Sequence, residues 1–559
     1  MGEGGYVAEF VKSIWKPLMH QIVKRNIKIV TNAGGLNPHG CKLAIEEIAK
    51  EAGINVVVAS VDGDDIANGW QQLKKQGHLH PFQNEDVVEE IPEDKFMMSL
   101  NAYFGAAPIV RALKQGAQIV VTGRCTDSAL VLAPLIHEFG WNTSNYDLMA
   151  CGSLAGHIIE CGCQATGGNY TDWRESYRGG WEDPGFPIAE VKSDGSFIVT
   201  KPKGTGGIVN VKSVAEQILY EIGDPGAYIL PDVIVDMRQV HLEQVGTGRV
   251  SVTGVRGTSP TPYYKCSACF FDGYKLDASL LIGGIEAREK AYAVGKTVLA
   301  KSRKLLKAAG LADFSDYNIE MIGSEHTYGP HAKLHHAREV VLRLVVVHAD
   351  PRALRIIGKE LAPTATSMAP GITGAGGGRP RAGPNILFLS ALVDKNKVPS
   401  RIIIGDHKPI TLTEHAPTLP SLEEPLELPK LSTFNFSGPT VRVPLVLLCH
   451  GRSGDKGDSA NIGIRARHPK FYSWLGSTLT AAKIKQYMAH LIQGTVSRYA
   501  LPGIHAFNFQ CTQALGGGGL RSLNIDRQGK TYAQMVLSME VDVPKEWSNL
   551  FYTDKLAKL

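Results

Sequence analysis

Short apolar runs rich in β-branched residues alternate with stretches of helical spacing through the first third of the chain. Residues 26–31 and 55–60 have the pattern of strands, and a helix is predicted between them, over about 41–52. A third strand, over 118–122, is followed by further helical spacing. Because this order implies helical crossovers between parallel strands, we expect residues 1–186 to form an α/β domain with a doubly wound, mostly parallel sheet.

Shorter strand patterns broken by glycine and proline follow from residue 187 and predict an antiparallel α+β region up to residue 414. One long helix is expected within it, over 284–309. Prolines recur through residues 415–439, which indicates a linker. The predicted organisation is therefore a main domain over 1–414, divided near residue 187, and a C-terminal α+β domain over 440–559.

The composition is that of an ordinary globular protein and narrows the function. The 59 basic and 54 acidic residues give a formal charge of +5, and no basic run is interleaved with aromatics, so a nucleic-acid partner is not expected. No apolar run reaches the roughly eighteen residues that span a bilayer. The nine cysteines are scattered, with no secretory apolar segment before them, and fit a reducing compartment, so we expect a cytoplasmic protein. Exposed strand edges in the antiparallel region predict a homo-oligomer.

Polar residues and glycines follow three of the predicted strands in the α/β part. The carboxyl ends of parallel strands share one edge of a sheet, and a helix N-terminus attracts anions, so we predict one anion-binding pocket at this edge. An alternative is that Asp127 or Thr126 only caps the helix and that Arg124 is a solvated loop charge. The candidates are Asn32, Gly34, Gly35, Asp62, Arg124 and Ser128 for binding and Asp127 for catalysis, with Asn32, Arg124 and Asp127 expected to line one pocket.

A second group of candidates lies on one face of a predicted helix that continues from Ala150. His157 and Glu160 are three residues apart, with Cys161 and Gln164 on the same face. A His or Glu side chain with a pKa near neutrality can transfer protons, which requires burial and a suitable neighbour. His157 and Glu160 are therefore predicted as catalytic residues. The alternative is a half-buried helix whose polar face is only hydrogen-bonded.

Two segments offer weaker possibilities for a metal site. Asp62, Asp64 and Asp65 could bind Mg²⁺, although a solvated cap of the next helix is the favoured interpretation. His331 and His335, in EHTYGPHAKLHH, could bind a transition metal, against a polar surface turn. Neither common nucleotide-binding fingerprint is met. No metal and no cofactor are therefore predicted.

The densest charge in the C-terminal part lies in RSGDKGDSANIG, between two apolar strands. This segment contains Arg452, Asp455, Lys456 and Asp458. Exposed amides and a spare cation in such a loop favour an anionic partner, so we predict all four as ligand-binding residues. Arg452 and Lys456 are expected to face the cleft of the main domain and to form a composite site with it. The alternative is a solvated hairpin.

Six segments together resemble the acyclic terpene utilisation (AtuA-like) family over nearly the whole chain. They are VTNAGGLNP, VDGDD, TGRCTDSALVLAPL, ECGCQATGGNY, QILYEIGDPGAYILPDVIVD and RSGDKGDSANIG. The first five have the order and spacing of that family's main domain, and the last is similar to its appended ferredoxin-fold domain. The resemblance implies a ferredoxin-like domain over 440–559, and Asn169, in ECGCQATGGNY, is included among the binding candidates.

The function implied by this resemblance concerns branched acyl groups. The family takes its name from bacterial growth on citronellol and geraniol, where neighbouring enzymes handle branched acyl-CoA thioesters. An acyl-CoA or a branched carboxylic acid is therefore the implied ligand, with CoA as part of the substrate, and a catabolic enzyme of open reaction type is the implied function. The alternatives are a non-catalytic CoA-binding or scaffold subunit of an acyl-CoA-metabolising complex and a metal-dependent hydrolase.

Overall fold

The structure is a computed structural model of the chain and describes residues 4–84, 87–376, 378–405, 407–414 and 433–551. Most of the predicted linker, residues 415–432, lies outside the described residues, as do residues 552–559 of the predicted C-terminal domain. Within the described ranges, no helix combines the length and the apolar character needed to cross a bilayer.

A five-stranded sheet forms the centre of the N-terminal part. The first three strands in space pair with one another in parallel. The fourth strand pairs antiparallel with the third, and the fifth pairs antiparallel with the fourth. Successive residues of each strand point to opposite faces, so that helix Pro38–Glu51 packs on one face and helices Ala107–Lys114 and Ala129–Phe139 on the other. The strands in spatial order are Ile29–Thr31, Ile119–Thr122, Val58–Asp62, Ser400–Ile404 and Ile410–Leu412.

The predicted doubly wound, mostly parallel sheet is not confirmed, because the sheets of the described chain are mostly antiparallel. Three parallel strands are present, as the strand–helix–strand order requires. Strand Ser400–Ile404 then pairs antiparallel with Val58–Asp62, although the chain between them contains the whole antiparallel region. The α/β and antiparallel parts therefore share one sheet and are not separate units.

An eight-stranded antiparallel sheet is built around the long strand Tyr263–Gly283. From residue 264 to 270 the even-numbered positions of this strand are buried and the odd-numbered ones half-buried. Helices Ala287–Ala308 and Pro351–Glu360 pack on the sheet, and the first corresponds to the long helix predicted over 284–309. The strands are Asp316–Ile322, Glu339–His348, Tyr263–Gly283, Gly383–Asp394, Leu79–Asn84 and Val87–Glu89 in order, with Met97–Ala102 and Ile372–Gly374 also paired to the long strand.

Two smaller sheets complete the main domain. One contains His241–Gly246, Arg249–Thr253, Phe197–Thr200 and Ile188–Val191, and the other Arg256–Thr258, Ile234–Asp236 and Tyr228–Ile229. The neighbouring helices are Tyr146–Ile159, Trp173–Arg178 and Val211–Ile218. Further helical segments are Phe10–Trp15, Lys16–Lys24, Ala67–Gly69, Trp70–Lys75, Gly162–Gln164, His326–His331, Thr364–Ser367 and Lys395–Lys397.

The C-terminal domain is an α+β unit with its own apolar core, which includes Phe471, Phe507 and Phe509. Its antiparallel sheet contains Cys449–Lys456, Ser459–Ala466, Ala506–Cys511 and Val496–Leu501. A two-stranded sheet joins Thr440–Pro444 to Glu540–Pro544. The helical segments are Leu445–Leu447, Lys470–Thr478, Ala481–Tyr487, Pro502–Ile504, Tyr532–Leu537 and Lys545–Leu550.

The C-terminal sheet docks on the chain that follows helix Val211–Ile218. The Asn461 side-chain amide donates to the carbonyl oxygen of Leu219 (2.7 Å), and that of Asn508 donates to the carbonyl oxygen of Ile222 (2.9 Å). Asn461 Oδ1 also accepts the backbone N–H of Glu221 (2.9 Å). These contacts fix the segment around Glu221 against strands Ser459–Ala466 and Ala506–Cys511.

Candidate functional site

A cavity of about 500 Å³ lies where the two large sheets meet the C-terminal domain. Its wall combines charged groups with aromatic and apolar groups. The charged lining residues are Glu89, Arg124, Asp127, Glu160, Glu221, Asp224, Lys265 and Lys456. The aromatic and apolar ones include Phe82, Tyr103, Tyr228, Ile229, Leu230, Pro231, Tyr263 and Leu392.

The turn after strand Ile119–Thr122 presents Arg124 to this cavity. Buried Asp64 holds the turn, because its Oδ2 accepts the backbone N–H of Arg124 (2.9 Å) and the side-chain amide of Asn101 (2.9 Å). Burial raises the pKa of Asp64, against the lowering effect of these hydrogen bonds. The sequence favoured a solvated helix cap for Asp64, with a Mg²⁺ ligand as the other possibility, and the positioning role of this buried carboxylate was not predicted.

Arg124, Asp127 and Asn32 lie together at the strand ends. The Arg124 guanidinium lies 4.1 Å from the Tyr103 ring centroid, and its Nη2 lies 3.6 Å from Asp127 Oδ2. The Asn32 amide donates to Asp127 Oδ1 at 3.4 Å, from just outside the cavity lining. Arg124 Nε is buried without a hydrogen-bond partner. The Arg124 side chain as a whole is 34% exposed and lines the cavity, so other parts of the guanidinium can meet a ligand.

The helix that follows begins at Ser128, which is buried and also lines the cavity. In the described structure no side-chain hydrogen bond caps this helix, and the Asp127 carboxylate instead contacts Asn32 and Arg124. The alternative in which Asp127 serves as a helix cap is therefore not what the structure shows.

Glu160 reaches the cavity from the end of helix Tyr146–Ile159, and its side chain is 17% exposed. Burial and the nearby Asp127 carboxylate raise the pKa of Glu160 to about 8, although Lys456 lowers it. Glu160 is consequently protonated at neutral pH and can act as a general acid.

His157 lies one helical turn before Glu160 and does not belong to the cavity lining. It is buried, its Nδ1 is 3.8 Å from Glu160 Oε1, and its ring packs edge-on against Tyr228 (5.5 Å between centroids). Burial lowers the pKa of His157 to about 4, which keeps the ring neutral. Neither ring nitrogen has a hydrogen-bond partner among the described residues. The structure thus places His157 behind Glu160 and Tyr228, out of direct reach of a ligand.

Lys456 is the residue of the C-terminal loop that reaches the cavity. It forms an ion pair with Glu221, whose own pKa is lowered in part by this contact. Burial disfavours the charge on Lys456, but the attraction of the Glu221 carboxylate outweighs the effect of burial. The pKa of the lysine is therefore raised. The cavity is therefore composite, with one cation supplied by the second domain.

The other candidates of this loop lie elsewhere. Arg452 is buried in the domain interface, where its Nη2 lies 3.1 Å from Glu216 Oε2 and 3.4 Å from the carbonyl oxygen of Gly168. The expectation that Arg452 faces the cleft is therefore wrong. Asp458 accepts the backbone N–H groups of Leu515 (3.2 Å) and Gly517 (2.8 Å), and Asp455 lies outside the lining.

Four candidates of the main domain also lie away from the cavity. Asp62 forms a two-pronged ion pair with Arg401 (2.6 and 2.9 Å). Gly34 and Gly35 shape the turn after the first strand, since a Cβ at Gly34 would overlap the carbonyl oxygen of Thr122 and Gly35 has a φ of +52°. Asn169 is exposed, with a φ of +51°. The structure assigns these residues to turns and ion pairs.

The residues on which a metal site depended are also engaged separately. Asp62 and Asp64 make the contacts described above, and His331 Nε2 lies 2.8 Å from the carbonyl oxygen of Tyr487. Across the described ranges, no three His, Cys, Asp or Glu side chains are grouped so as to hold a metal ion.

A more open depression of about 900 Å³ lies beside the second small sheet. Its cations are matched with carboxylates, since Arg238 Nη2 lies 2.6 Å from Asp236 and Arg256 Nη1 lies 2.8 Å from Asp147. This surface has fewer unpaired groups to offer a ligand than the composite cavity, which is the better candidate site.

Lys265, Glu89, Glu221 and Tyr228 line the cavity but were not predicted as site residues. A signal existed for two of them, because Glu221 and Tyr228 both lie in QILYEIGDPGAYILPDVIVD, a segment that carries the family resemblance. Lys265 is the charged residue at a half-buried position of the apolar run YYKCSACFF. A lone charge in such a run was the second usable signal.

The fold and the cavity define a two-domain protein of mixed helices and sheets with a cavity between its domains. The sequence model described as acyclic terpene utilisation family protein AtuA matches residues 1–404, and that of the AtuA ferredoxin-like domain matches residues 443–542. The chain therefore belongs to the AtuA family and carries its ferredoxin-like domain, as the motifs predicted. This membership connects the chain with isoprenoid catabolism. No curated protein and no solved structure matches the chain.

Proposed function

We propose that the chain is a catabolic enzyme that binds a branched or isoprenoid carboxylic acid, or its CoA thioester, in the composite cavity and transfers a proton there. The observation that carries this proposal is the pairing of two incompletely neutralised cations, Arg124 and Lys265, with an apolar wall in one enclosed site. Such a wall with a few convergent polar groups is typical of small-molecule sites.

The polar and the apolar residues of the cavity wall suit the two ends of such a ligand. Arg124 lines the cavity with a side chain that is 34% exposed, so its guanidinium can meet a carboxylate or a thioester carbonyl. Ile229, Leu230 and Leu392 offer apolar surface to a branched chain, and its burial is favourable by about 25 cal/mol per Å². The volume suits an acyl group, and a CoA moiety would extend from the cavity towards solvent.

Proton transfer is assigned to the carboxyl groups of the wall. Five carboxyl groups outnumber the three cations, so at least one carboxyl group is favoured in its protonated form. Glu160, with a pKa of about 8, is this protonated carboxyl group and serves as the acid. Asp127, hydrogen-bonded to Asn32 and beside Arg124, has the surroundings of a base. Two carboxyl groups in different environments are a common basis for acid–base catalysis.

Calorimetric titration and turnover assays with geranic acid, citronellic acid, their CoA thioesters and free CoA test the proposal. Arg124→Met should weaken binding of the acids about 10- to 100-fold, since a hydrogen bond to a charged group contributes about 1.5–3 kcal/mol. Glu160→Gln should retain binding and lose turnover. Arg256→Met, which alters an arginine outside the cavity, serves as the matched control.

Two results would contradict the proposal. Binding of free CoA and of thioesters without turnover of any compound would favour the non-catalytic CoA-binding subunit. Binding that Arg124→Met and Arg256→Met weaken equally would remove the cavity as the site.

A further inference from the structure

The backbone of Lys265 is held more rigidly than ligand binding alone requires. Its strand is hydrogen-bonded on both sides, with Cys266 paired to both Ala102 and Ala391. The backbone N–H of Tyr103 donates to the carbonyl oxygen of Lys265 (2.9 Å). The side chain therefore enters the cavity from a rigid central strand, which is a precise support for a reacting group.

The amine of Lys265 is flanked by aromatic rings and by other cations. Nζ lies 5.1 Å from the Phe82 ring centroid and 6.0 Å from that of Tyr103. None of the described residues forms a hydrogen bond or an ion pair with Nζ, whereas Lys456 is paired with Glu221. An ammonium group without a close carboxylate in such a place is unfavourable.

Burial and the neighbouring cations both lower the pKa of Lys265. Burial and the cations of Lys456 and Arg124 lower the pKa of Lys265 to about 8, against the opposing effect of Glu89. An ordinary lysine has a pKa of about 10.4, so its neutral, nucleophilic form is about two hundred times rarer near neutral pH. Lysines activated in this way by desolvation and a neighbouring cation are those that form imines with carbonyl substrates.

We propose that Lys265 is a catalytic nucleophile that forms an imine with the ketone or aldehyde carbonyl of an oxo acid, whose carboxylate is held by Arg124. The proposal deepens the proposed function and rests on it, because it uses the same cavity and the same carboxylate site. It narrows the substrate class to acids that also carry a ketone or an aldehyde.

The step balances without an added oxidant or reductant. The lone pair of the neutral amine attacks the carbonyl carbon as the C=O π bond breaks, and a proton passes from the nitrogen to the carbonyl oxygen to give a neutral carbinolamine. The hydroxyl group then leaves as water with a proton from a protonated carboxyl group of the wall, and a protonated imine to Nζ forms. Glu160 lines the same cavity, and burial raises its pKa to about 8, so it can supply this proton.

A protonated imine withdraws electrons from the neighbouring carbon. Proton removal or carbon–carbon cleavage at that carbon is thereby made easier, and hydrolysis of the imine afterwards regenerates the amine. Asp127 lies beside Arg124 in the same wall and is available as the base.

The test is reductive trapping on the full-length protein. The protein is incubated at pH 7.5 with 4-oxopentanoate and sodium cyanoborohydride, which reduces an imine to a stable secondary amine, and labelled lysines are located by peptide mass spectrometry. Lys265 should be labelled on the order of tenfold or more faster than an exposed lysine such as Lys304. Its labelling rate should rise with pH up to about 8 and then level off.

Two variants complete the design. Lys265→Arg keeps the charge and removes the nucleophile, so labelling in that peptide should vanish while binding of 4-oxopentanoate persists. Lys275→Met is the matched control, since Lys275 lies on the same strand but donates to the carbonyl oxygen of Leu520 (2.8 Å) outside the cavity. It should leave labelling of Lys265 unchanged.

The outcomes separate the two proposals. Binding of 4-oxopentanoate that depends on Arg124, with Lys265 labelled no faster than Lys304, would overturn the imine and leave the proposed function standing. Selective labelling of Lys265 that is lost in Arg124→Met would support both. Binding of the oxo acid and of geranic acid unchanged by Arg124→Met would overturn both.

Discussion

At Gly123 the chain turns from a buried strand into the cavity wall with no room for a side chain. A Cβ at this position would overlap Oδ1 of Asp64, the carboxylate that holds the backbone N–H of Arg124. The glycine and the buried carboxylate therefore form one unit that sets the direction of the guanidinium. Neither residue needs to touch a ligand to influence binding.

Gly123→Ala should therefore destabilise the protein and weaken ligand binding together. Overpacking of this kind typically costs about 1–3 kcal/mol in the free energy of unfolding, measurable by urea denaturation. Gly383→Ala is the control, because no atom lies within 4 Å of a Cβ at that position. Equal effects of the two substitutions would show that Asp64 moves aside without consequence.

The protonation of Glu160 predicts a pH dependence of stability. The pKa of Glu160 is raised from 4.5 to about 8 in the folded chain, so between these values the folded state binds more protons than the unfolded state. Stability must then fall as pH rises through this window, by at most about 1.4 kcal/mol per pH unit. The stability of the wild type and of Glu160→Gln is measured by urea denaturation from pH 6.5 to 8. This range lies above most of the interval in which His157 titrates, whose pKa is 6.5 for a free side chain and about 4 in the folded chain. Parallel curves for the two proteins would contradict a raised pKa.

Site residues were predictable where a polar group interrupts an apolar pattern. Arg124, Asp127, Glu160 and Lys456 all lie in such breaks, at the end of a strand or a helix. Lys265 lies inside a strand, and its side chain faces the cavity only because strands distant in sequence pair there. Glu89 ends a short strand, which reaches the cavity because its hairpin partner Leu79–Asn84 pairs with the distant strand Gly383–Asp394. Arg452 was assigned to the cleft because the sequence does not show that Glu216 lies buried opposite it.

At the scale of elements, helix Val211–Ile218 connects the two domains. Glu216 is fully buried on it, accepts the backbone N–H of Thr171 and pairs with Arg452 of the C-terminal sheet. Burial raises the pKa of Glu216, against the opposing effect of Arg452. The helix thus joins the domains through an ion pair that is removed from water.

Arg452→Met should destabilise the protein by about 3–5 kcal/mol, because it leaves the Glu216 carboxylate buried without its cation. The double variant Arg452→Met with Glu216→Gln should recover part of this loss, as measured by urea denaturation. Arg249→Met, which breaks an exposed pair with Glu190, should have little effect. A double variant less stable than Arg452→Met alone would contradict this account.

The fold was predictable as far as local order determines it. The three parallel strands follow from strand–helix–strand order, and the long helix follows from its periodicity. The antiparallel partner Ser400–Ile404 does not, because its pairing with Val58–Asp62 depends on the path of the intervening chain. Periodicity identifies strands but does not identify their neighbours, and for this reason the share of parallel pairing was overestimated.

At the scale of the whole molecule, an exposed aromatic cluster lies on helix Trp173–Arg178 and just beyond it. Trp173, Tyr177 and Trp181 are 43%, 60% and 48% exposed, and their ring centroids lie 5.3–6.4 Å apart. Single exposed aromatics are common, but contiguous ones typically mark an interaction surface. The cluster lies close to Asp172, which accepts hydrogen bonds from Arg467 (2.5 Å) and so holds this segment against the C-terminal domain.

We propose that this cluster is the contact between two copies of the chain, since exposed apolar clusters mark interaction sites and twofold dimers are the commonest oligomers of soluble proteins. Light scattering coupled to size-exclusion chromatography should then report a dimer at micromolar concentration. Tyr177→Glu should shift it towards the monomer, because a charge in an apolar contact is unfavourable without a partner. Phe96→Glu is the matched control, as Phe96 is 73% exposed and lies outside the cluster. A monomeric wild type, or a dimer that Tyr177→Glu leaves intact, would exclude this surface as the contact.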